Sequence, residues 1–318
     1  MISRRVFLQA GAGLIPWRSS QSLTMQLDWR LNAQFAGLCV AQARGEYRRR
    51  GLRVTLRAAP PDMDVIETVV SQPQTVGCAE ESLILDAQAK GVEVVAIAAM
   101  LQNSPLGLMS LPQSPISQLE QLSGKRVGVH SDGLKALQLV LQKQRFPSDQ
   151  IDIIQIPYSN KYQRLLDGEL DAVQCYALDE PLDFARRLGQ APTVLTFKDY
   201  GFEAYSQVIF APSELLAANP QAIRQFLAAT FAGWRWATRH PAKTAQLLVR
   251  KYVEPDYRDI EYQTQSLIRI ADYVQAEPRP IGVIDPERWQ RSAQQLAQAG
   301  LIQATPAMDA SIDLHFWS

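Results

Sequence analysis

Segments with two different hydrophobic patterns alternate along most of the chain. TMQLDW, LRVTLRAA, TVGCA and VEVVAIAAML are short and rich in apolar or β-branched residues, which predicts strands. In FAGLCVAQARG, MDVIETVVSQ and SLILDAQAKG the apolar residues recur every three or four positions, which predicts helices. This alternation from residue 25 onward predicts an α/β fold with largely parallel sheets, in which VEVVAIAAML is a central strand.

The same alternation resumes after QNSPLGLMSLPQSP, whose prolines and serines indicate a boundary. KRVGV, IDIIQIP and AVQCY predict strands, and LKALQLVLQKQ predicts a helix. From about residue 205, the strand YSQVIFAP leads into a mostly helical region, where Asn219 is a suitable N-cap before Pro220. Trp234 and Trp236 lie on this amphipathic helix, and we expect them to pack in the core rather than to bind a ligand.

The composition narrows the possible function classes. With 318 residues, of which 47% are hydrophobic, the chain can form two domains, or one domain interrupted by another. It has 32 Lys plus Arg and 32 Asp plus Glu, and therefore no net charge. Because binding to a phosphate backbone needs a basic surface, we expect no nucleic-acid partner.

The cysteines and histidines do not have the spacing of a metal site. The cysteines are far apart and lie among apolar neighbours, as expected for small buried hydrophobes: Cys39, Cys78 and Cys175. The histidines form no HExxH or other ligand pattern: His130, His240 and His315. We expect no metal site.

The N-terminal segment SRRVFLQAGAGLIPW resembles a twin-arginine export signal, with Arg4 and Arg5 directly before an apolar stretch. The stretch is weak, because Trp17 and Arg18 interrupt it and no clear cleavage site follows. Residues 1–24 are therefore interpreted as an export signal or a disordered tail. If the signal is used, the protein is periplasmic or otherwise exported, and the absence of any later run of eighteen apolar residues predicts a soluble mature chain.

Several segments together resemble the solute-binding proteins that feed thiamine-pyrimidine and alkanesulfonate-type ABC importers. They are LDWRLNAQFAGLCVAQARGEYRRRGLRVTL, GCAEESLILDAQAKG, ISQLEQLSGKRVGV, LLDGELDAV and GVIDPERWQRSAQQLAQAGLI. Each motif is short, and the order of the elements is more specific than any one of them. The resemblance covers nearly all of residues 25–302.

The resemblance implies a two-lobed type II periplasmic-binding-protein fold with a cleft between the lobes. Residues 25–112 and 206–318 would form one lobe, residues 113–205 the inserted lobe, and strands near Leu108 and Val208 the hinge. The implied function is that of a monomeric substrate-binding subunit, which delivers a small planar, amine-bearing molecule such as a thiamine-pyrimidine precursor to an ABC permease in the membrane. A sulfonate- or nitrate-type ligand, or a sensor without a transporter, are the alternatives within this fold.

The same domain occurs in thiamine-pyrimidine synthases, which resemble these binding proteins and use pyridoxal phosphate with one of their own histidines. That family has a Lys and a His four residues apart, where this chain has Ala79 and Leu83. It also has a cysteine-rich iron-binding stretch, whereas KDYGFEAYSQVIF contains no cysteine. Because a Schiff base needs an amine, we expect no enzymatic activity, no catalytic residue and no cofactor.

Candidate ligand-binding residues lie where strands end and helices begin, because these positions line the cleft of the implied fold. Trp29 follows a strand and offers a face for stacking on a planar heterocycle, and Asn32 offers an amide for its edge. Phe35 stands where several relatives have His, which leaves the ligand's identity open.

Glu80, Glu81 and Ser82 allow two interpretations. Acidic residues and Ser are favourable at a helix N-terminus, so these residues can simply begin the helix. Alternatively, one carboxylate faces the cleft and pairs with an amine. Both can hold, because neighbouring residues point in different directions.

The predicted second lobe adds further candidates. Tyr176, Asp179 and Glu180 follow a strand and form either a surface turn or part of the cleft. Ser131 begins a helix, where it either caps the helix or binds an anionic group. Tyr205, at the predicted return crossover, is a weaker candidate.

Overall fold

The computed structural model describes residues 21–60, 63–274 and 280–317. The predicted export signal or tail therefore lies largely outside the described residues. Its last part, residues 21–24, belongs to the first strand, which pairs in parallel from Gln21 onward with a strand beginning at Leu52. The first strand thus begins three residues before the predicted segment TMQLDW.

The elements follow one another in the predicted alternation. Residues 21–101 contain β1 (Gln21–Gln26), α1 (Ala36–Ala43), α2 (Glu46–Arg49), β2 (Leu52–Arg57), α3 (Val65–Ser71), β3 (Thr75–Ala79), α4 (Glu81–Ala89) and β4 (Val94–Leu101). Residues 106–196 contain β5 (Leu106–Ser110), β6 (Arg126–Val129), α5 (Ser131–Lys143), β7 (Asp152–Gln155), α6 (Lys161–Leu166), β8 (Ala172–Tyr176), α7 (Glu180–Leu188) and β9 (Thr193–Thr196).

The remaining described residues are mostly helical. They contain β10 (Ser206–Pro212), α8 (Ser213–Ala218), α9 (Pro220–Arg239), α10 (Pro241–Lys251), α11 (Ile260–Val274), α12 (Pro286–Gln298) and α13 (Met308–Ser311). Short 3₁₀ helices occupy Ala33–Phe35, Leu119–Leu122, Ser148–Gln150, Phe197–Tyr200, Pro255–Tyr257 and His315–Trp317. Within the described ranges, none of the helices combines the length and the apolar character needed to cross a bilayer.

The strands form two five-stranded sheets, in the orders β2-β1-β3-β10-β4 and β7-β6-β8-β5-β9. Four of the eight neighbouring pairs are parallel and four are antiparallel, because β5 and β10 run antiparallel to both of their neighbours, so the sheets are less parallel than predicted. The chain passes to the second sheet between Leu101 and Leu106 and returns between Thr196 and Ser206. It therefore leaves the first sheet before residue 112, where the predicted lobe boundary lies, and the assignment of residues to lobes stays a prediction.

The prediction that VEVVAIAAML is a central strand is wrong, because β4 lies at an edge of the first sheet. Every residue of β4 is nevertheless buried. The C-terminal region covers the free edge through bridges from Ala96 to Ile312 and from Ala99 to Gly282. A strand covered in this way has the same apolar pattern as a central one.

Helices α1 and α9 pack closely against each other, and this contact explains where Trp234 and Trp236 lie. Trp234 is buried, and a Cβ added at Gly37 would lie 2.2 Å from its ring, so only glycine permits this contact. Trp236 is half-buried against the same core, which confirms that both tryptophans are packing residues. Asn219 is the N-cap of α9, but its side chain makes no capping hydrogen bond, contrary to expectation. The three cysteines are buried and free, as predicted.

Candidate functional site

A cavity of about 860 Å³ lies between the two sheets. The first sheet contributes residues after β1 and β3, and the second contributes the start of α5, the segment after β7 and the end of β8. These positions follow from the fold, because the C-terminal ends of parallel strands meet at one edge of each sheet. The cavity is large enough for a small organic ligand.

The cavity is strongly acidic. It is lined by seven carboxylates, Asp28, Asp64, Glu67, Glu80, Asp86, Asp132 and Glu180, but by only two lysines, Lys90 and Lys161. Asp28 and Glu80 belong to the first sheet's side of the cavity, and Asp132 and Glu180 to the second. Acidic groups from both sides therefore converge on the same space, which favours a ligand carrying positive charge or several N–H donors.

Glu80 connects the two sheets at the inner end of the cavity. Its Oε1 accepts a hydrogen bond from the Tyr176 hydroxyl at 2.9 Å and also contacts the Ser206 hydroxyl. The Ser104 hydroxyl donates to Oε2 at 3.3 Å. Burial, together with the nearby carboxyls of Asp132 and Asp28, raises the pKa of Glu80 to about 8, although the hydrogen bonds from Ser206 and Tyr176 act to lower it.

Asp28 and Asp132 are half-buried carboxyls of the same region. Asp28 accepts a weak hydrogen bond from Sγ of Cys78 at 3.4 Å, and burial raises its pKa to about 7. Asp132 accepts a hydrogen bond from Nε2 of Gln174 at 2.9 Å, and burial raises its pKa as well. Because Asp132 also raises the pKa of Asp28, a cation bound between them would relieve their repulsion.

Aromatic rings line the same inner end. Tyr158 stacks on the His130 ring with 4.2 Å between the ring centroids, and its edge meets Trp29 at 4.7 Å. Burial lowers the pKa of His130 to about 3, so this imidazole is neutral at physiological pH. Nδ1 of His130 lies 3.1 Å from the carbonyl oxygen of Ile156, to which it donates in the neutral tautomer. These aromatic faces suit a planar ligand.

Lys161 is the buried lysine of the cavity wall, and its side-chain nitrogen already has partners within the protein. Its Nζ pairs with Glu180 and donates to the carbonyl oxygen of Gln174 at 3.2 Å. It also lies 3.5 Å from Nε2 of His130, whose lone pair is free to accept when Nδ1 holds the proton. An ammonium group has three protons, and these three acceptors match them. Lys161 therefore stabilises the wall of the cavity and offers little to an anionic ligand.

The sequence-predicted site residues fall into two groups. Those that line the cavity are Trp29, Glu80, Ser131, Tyr176 and Glu180. Those that do not are Asn32, Phe35, Glu81, Ser82, Asp179 and Tyr205. All residues of the second group are buried, so the structure places them in the supporting framework and not in the wall.

Asn32 and Asp179 contact each other behind the cavity wall. Nδ2 of Asn32 donates to Oδ2 of Asp179 at 2.8 Å, and Nε2 of Gln34 donates to the same oxygen at 2.6 Å. Oδ1 of Asn32 accepts a hydrogen bond from the Gln34 backbone and begins the 3₁₀ helix. Phe35 is buried in the core of the first sheet. The hydrogen bonds of Asn32 and Gln34 to Asp179 join the two halves of the protein, and of these three residues Gln34 also lines the cavity.

Glu80 and Glu81 point in different directions. Glu80 is the N-cap of α4 but makes no capping hydrogen bond with its side chain, which faces the cavity. Oε2 of Glu81 accepts a hydrogen bond from the Tyr205 backbone at 2.5 Å on the other side of the helix. The Tyr205 hydroxyl in turn accepts from the Asp285 backbone. Ser82 is buried within the helix. Glu80 therefore stands both at the N-terminus of the helix and in the cavity wall, whereas Glu81 points away from the cavity.

Sequence reasoning missed several residues that line the cavity, among them Asp28, His130, Asp132, Tyr158 and Lys161. Asp28 directly precedes Trp29, and Asp132 directly follows Ser131, both of which were identified. Tyr158 and Lys161 follow β7, a strand whose C-terminal end was not considered. The rule that strand ends line the cleft, applied to every strand, would have found Asp28, Tyr158 and Lys161. Among the described residues, no group of three or more His, Cys, Asp or Glu is arranged to hold a metal ion.

This architecture is the type II periplasmic-binding-protein fold. A solved structure of the alkanesulfonate-binding protein SsuA from Xanthomonas axonopodis pv. citri, bound to MOPS, matches it with a TM-score of 0.73. The match covers 93% of this chain and 99% of that protein at 14% sequence identity. The chain belongs to the NMT1/THI5-like family, which it matches over residues 32–244.

Curated relatives have several different names. The chain is 24% identical to the riboflavin-binding protein RibY of Chloroflexus aurantiacus, over 89% of this chain and 82% of that protein. It is 25% identical to the 4-amino-5-hydroxymethyl-2-methylpyrimidine phosphate synthase of Legionella pneumophila, over 76% of each chain. It is 21% identical to the formylaminopyrimidine-binding protein of Halalkalibacterium halodurans, over 85% of this chain and 83% of that protein.

Proposed function

We propose that this protein is the substrate-binding subunit of an ABC importer and that it binds a small planar, amine-bearing molecule such as a thiamine-pyrimidine precursor. In this proposal it works outside the cytoplasm as a monomer and delivers the ligand to a membrane permease. The twin-arginine route remains part of the proposal, and no nucleic acid is involved. The fold, shared with binding components of importers, and the named binding-protein relatives support this class.

The observation that carries the ligand class is the meeting of carboxyls and aromatic rings at the inner end of the cavity. Asp28, Glu80 and Asp132 can accept hydrogen bonds from an amine or a protonated ring nitrogen, and of the three Glu80 is the most buried. Trp29 and Tyr158 provide faces for the ring. An aminopyrimidine has both features in one small molecule.

A sulfonate or nitrate ligand fits this cavity poorly. An anion at the inner end would meet carboxyls, and Lys161 is already paired with Glu180. Ser131 begins α5, but Asp132 follows it in the same first turn and opposes an anion at that helix terminus. The alternatives of the sulfonate or nitrate type are therefore disfavoured.

A thiamine-pyrimidine synthase is the enzymatic alternative, since a relative has that name. Ala79 is buried at the end of β3, and Leu83 lies in the cavity wall, so neither position provides the amine or the imidazole. Lys161 is the buried one of the two lysines that line the cavity, and its Nζ is already engaged by Glu180, by the Gln174 carbonyl oxygen and by the His130 ring. We therefore expect no aldimine absorbance when pyridoxal phosphate is added, and an absorbance that disappears in Lys161→Met would favour the enzyme.

A thermal-shift comparison tests the proposed ligand class. We expect 4-amino-5-hydroxymethyl-2-methylpyrimidine to raise the Tm of the wild-type protein, whereas an alkanesulfonate and nitrate leave it unchanged. Trp29→Ala should abolish the shift, and Trp236→Ala, which alters a tryptophan far from the cavity wall, should keep it. A shift with the sulfonate alone would move the assignment to the sulfonate-type proteins.

A further inference from the structure

The outer end of the cavity differs chemically from the inner end. Its wall there comes from α3, the segment before it and α4, which contribute Met63, Ile66, Val70 and Leu83. Val70 is 44% exposed and is one of the few large hydrophobic residues that are exposed among those described. Met63, Ile66 and Leu83 are half-buried, with their inner sides on the core that lies between the sheets.

Two of the carboxylates beside these apolar residues already have partners. Asp86 pairs with Lys90 at 2.8 Å and with Lys135 at 3.5 Å. Asp64 accepts a hydrogen bond from the Glu67 backbone as the N-cap of α3. At the outer end, a ligand can therefore gain free energy by burying the exposed surface of the apolar side chains. At the inner end, the carboxyls attract the ligand instead.

We propose that the ligand has two parts, an amine-bearing planar ring at the inner end and an apolar substituent that lies between Ile66, Val70 and Leu83. This inference rests on the proposed function and specifies its ligand class. Two further observations support it. The two ends belong to one continuous cavity of about 860 Å³, near the upper end of the roughly 300–1,000 Å³ that holds drug-sized ligands. A single substituted pyrimidine ring fills only part of that space.

Two aminopyrimidines that differ only at ring position 5 test the inference. One has a hydroxymethyl group and the other a benzyl group, and both are measured by isothermal titration calorimetry. We expect the benzyl ligand to bind wild-type protein about tenfold more tightly, because it buries apolar surface. Leu83→Ala and Val70→Ser should each reduce this preference to about threefold or less, while the Kd of the hydroxymethyl ligand stays within about twofold.

Ile268→Ser is the matched control, since Ile268 is a similarly exposed apolar residue on α11 that is not in the cavity wall. It should leave both affinities unchanged. Equal affinities of the two ligands for the wild-type protein would overturn the two-part ligand while the proposed function stands. A Leu83→Ala effect of equal size on both ligands would overturn it as well. If neither ligand binds, the proposed function itself fails.

Discussion

The Tyr176 hydroxyl donates a hydrogen bond to Oε1 of Glu80 at 2.9 Å and so joins the end of β8 in the second sheet to the start of α4 beside the first. Both residues line the cavity. The carboxyl proposed to hold the ligand is therefore positioned by a residue from the opposite side. Ligand binding and the relative position of the two sheets depend on the same pair of side chains.

Glu80→Gln should weaken binding of the aminopyrimidine by about 10- to 100-fold, the range expected when a hydrogen bond to a charged group is lost. Glutamine has the same shape and can still accept from Tyr176, so the fold should be retained. Calorimetric titration measures the change, and circular dichroism checks the fold. Glu81→Gln is the control, because Glu81 points away from the cavity. If both variants bind like wild type, Glu80 does not hold the ligand.

Binding of a cationic probe should strengthen as the pH rises. The pKa of Glu80 is raised to about 8 and that of Asp28 to about 7, so both carboxyls are largely protonated near pH 6 and must lose protons to meet a cation. Benzamidine is planar and remains protonated throughout this range. We expect its Kd to fall between about pH 6 and pH 9, and to fall less steeply in Glu80→Gln. A Kd independent of pH in wild type would contradict a carboxyl-bound cation.

The free energy of unfolding of the ligand-free protein should decrease as the pH rises from about 5 to about 8. The folded-state pKa values of Asp28, Glu81 and Asp179 are raised to about 7, and that of Glu80 to about 8. In this window the folded protein binds more protons than the unfolded chain, so raising the pH favours unfolding.

His130 acts in the opposite direction, because its pKa in the folded state is lowered to about 3 from the ordinary histidine pKa of 6.5. Below pH 6.5 the unfolded chain therefore binds a proton that the folded protein does not, and this favours unfolding. Urea denaturation near pH 6 and near pH 8.5 measures the difference, and wild type should be more stable at the lower pH. Glu80→Gln should reduce the difference, since the amide does not titrate. Greater stability at the higher pH would contradict the raised carboxyl pKa values.

Trp234→Ala should destabilise the protein by about 3–5 kcal/mol, the usual cost of removing a buried Trp side chain. Trp234 is 1% exposed and packs directly on Gly37, so no neighbour can easily fill the space. Trp236→Ala should cost clearly less, because Trp236 is only half-buried and has Arg44 over its ring. Urea denaturation compares the two variants, and equal losses would contradict the packing described for α1 and α9.

The sequence predicted the fold more completely than the site, for a physical reason. The spacing of hydrophobic residues along the chain reflects which residues are buried, and it predicted most strands and helices. It does not record which way a single side chain points where a strand ends. Glu80 has extended backbone and Glu81 is the first residue of α4, so one residue faces the cavity and the other faces away.

Hydrogen bonds between residues far apart in the sequence also could not be predicted from it. Asn32 and Asp179 are separated by 147 positions, and the sequence predicts each of them as a ligand-binding residue. Their mutual hydrogen bond uses these groups within the framework. Conversely, Asp28 and Asp132 belong to different sheets, and only the fold shows that they line one cavity.

The hydrogen bonds of Glu80 also connect it to both places where the chain changes sheets. Ser104 lies in the first crossing, between β4 and β5, and Ser206 begins β10 directly after the second. If a ligand draws the Glu80 carboxyl toward itself, the bonds to these serines must lengthen or break. The two crossing segments then lose the hydrogen bonds that both make to Glu80 at the moment when the ligand binds. Ligand binding at this one carboxyl would therefore loosen the backbone segments that connect the two halves.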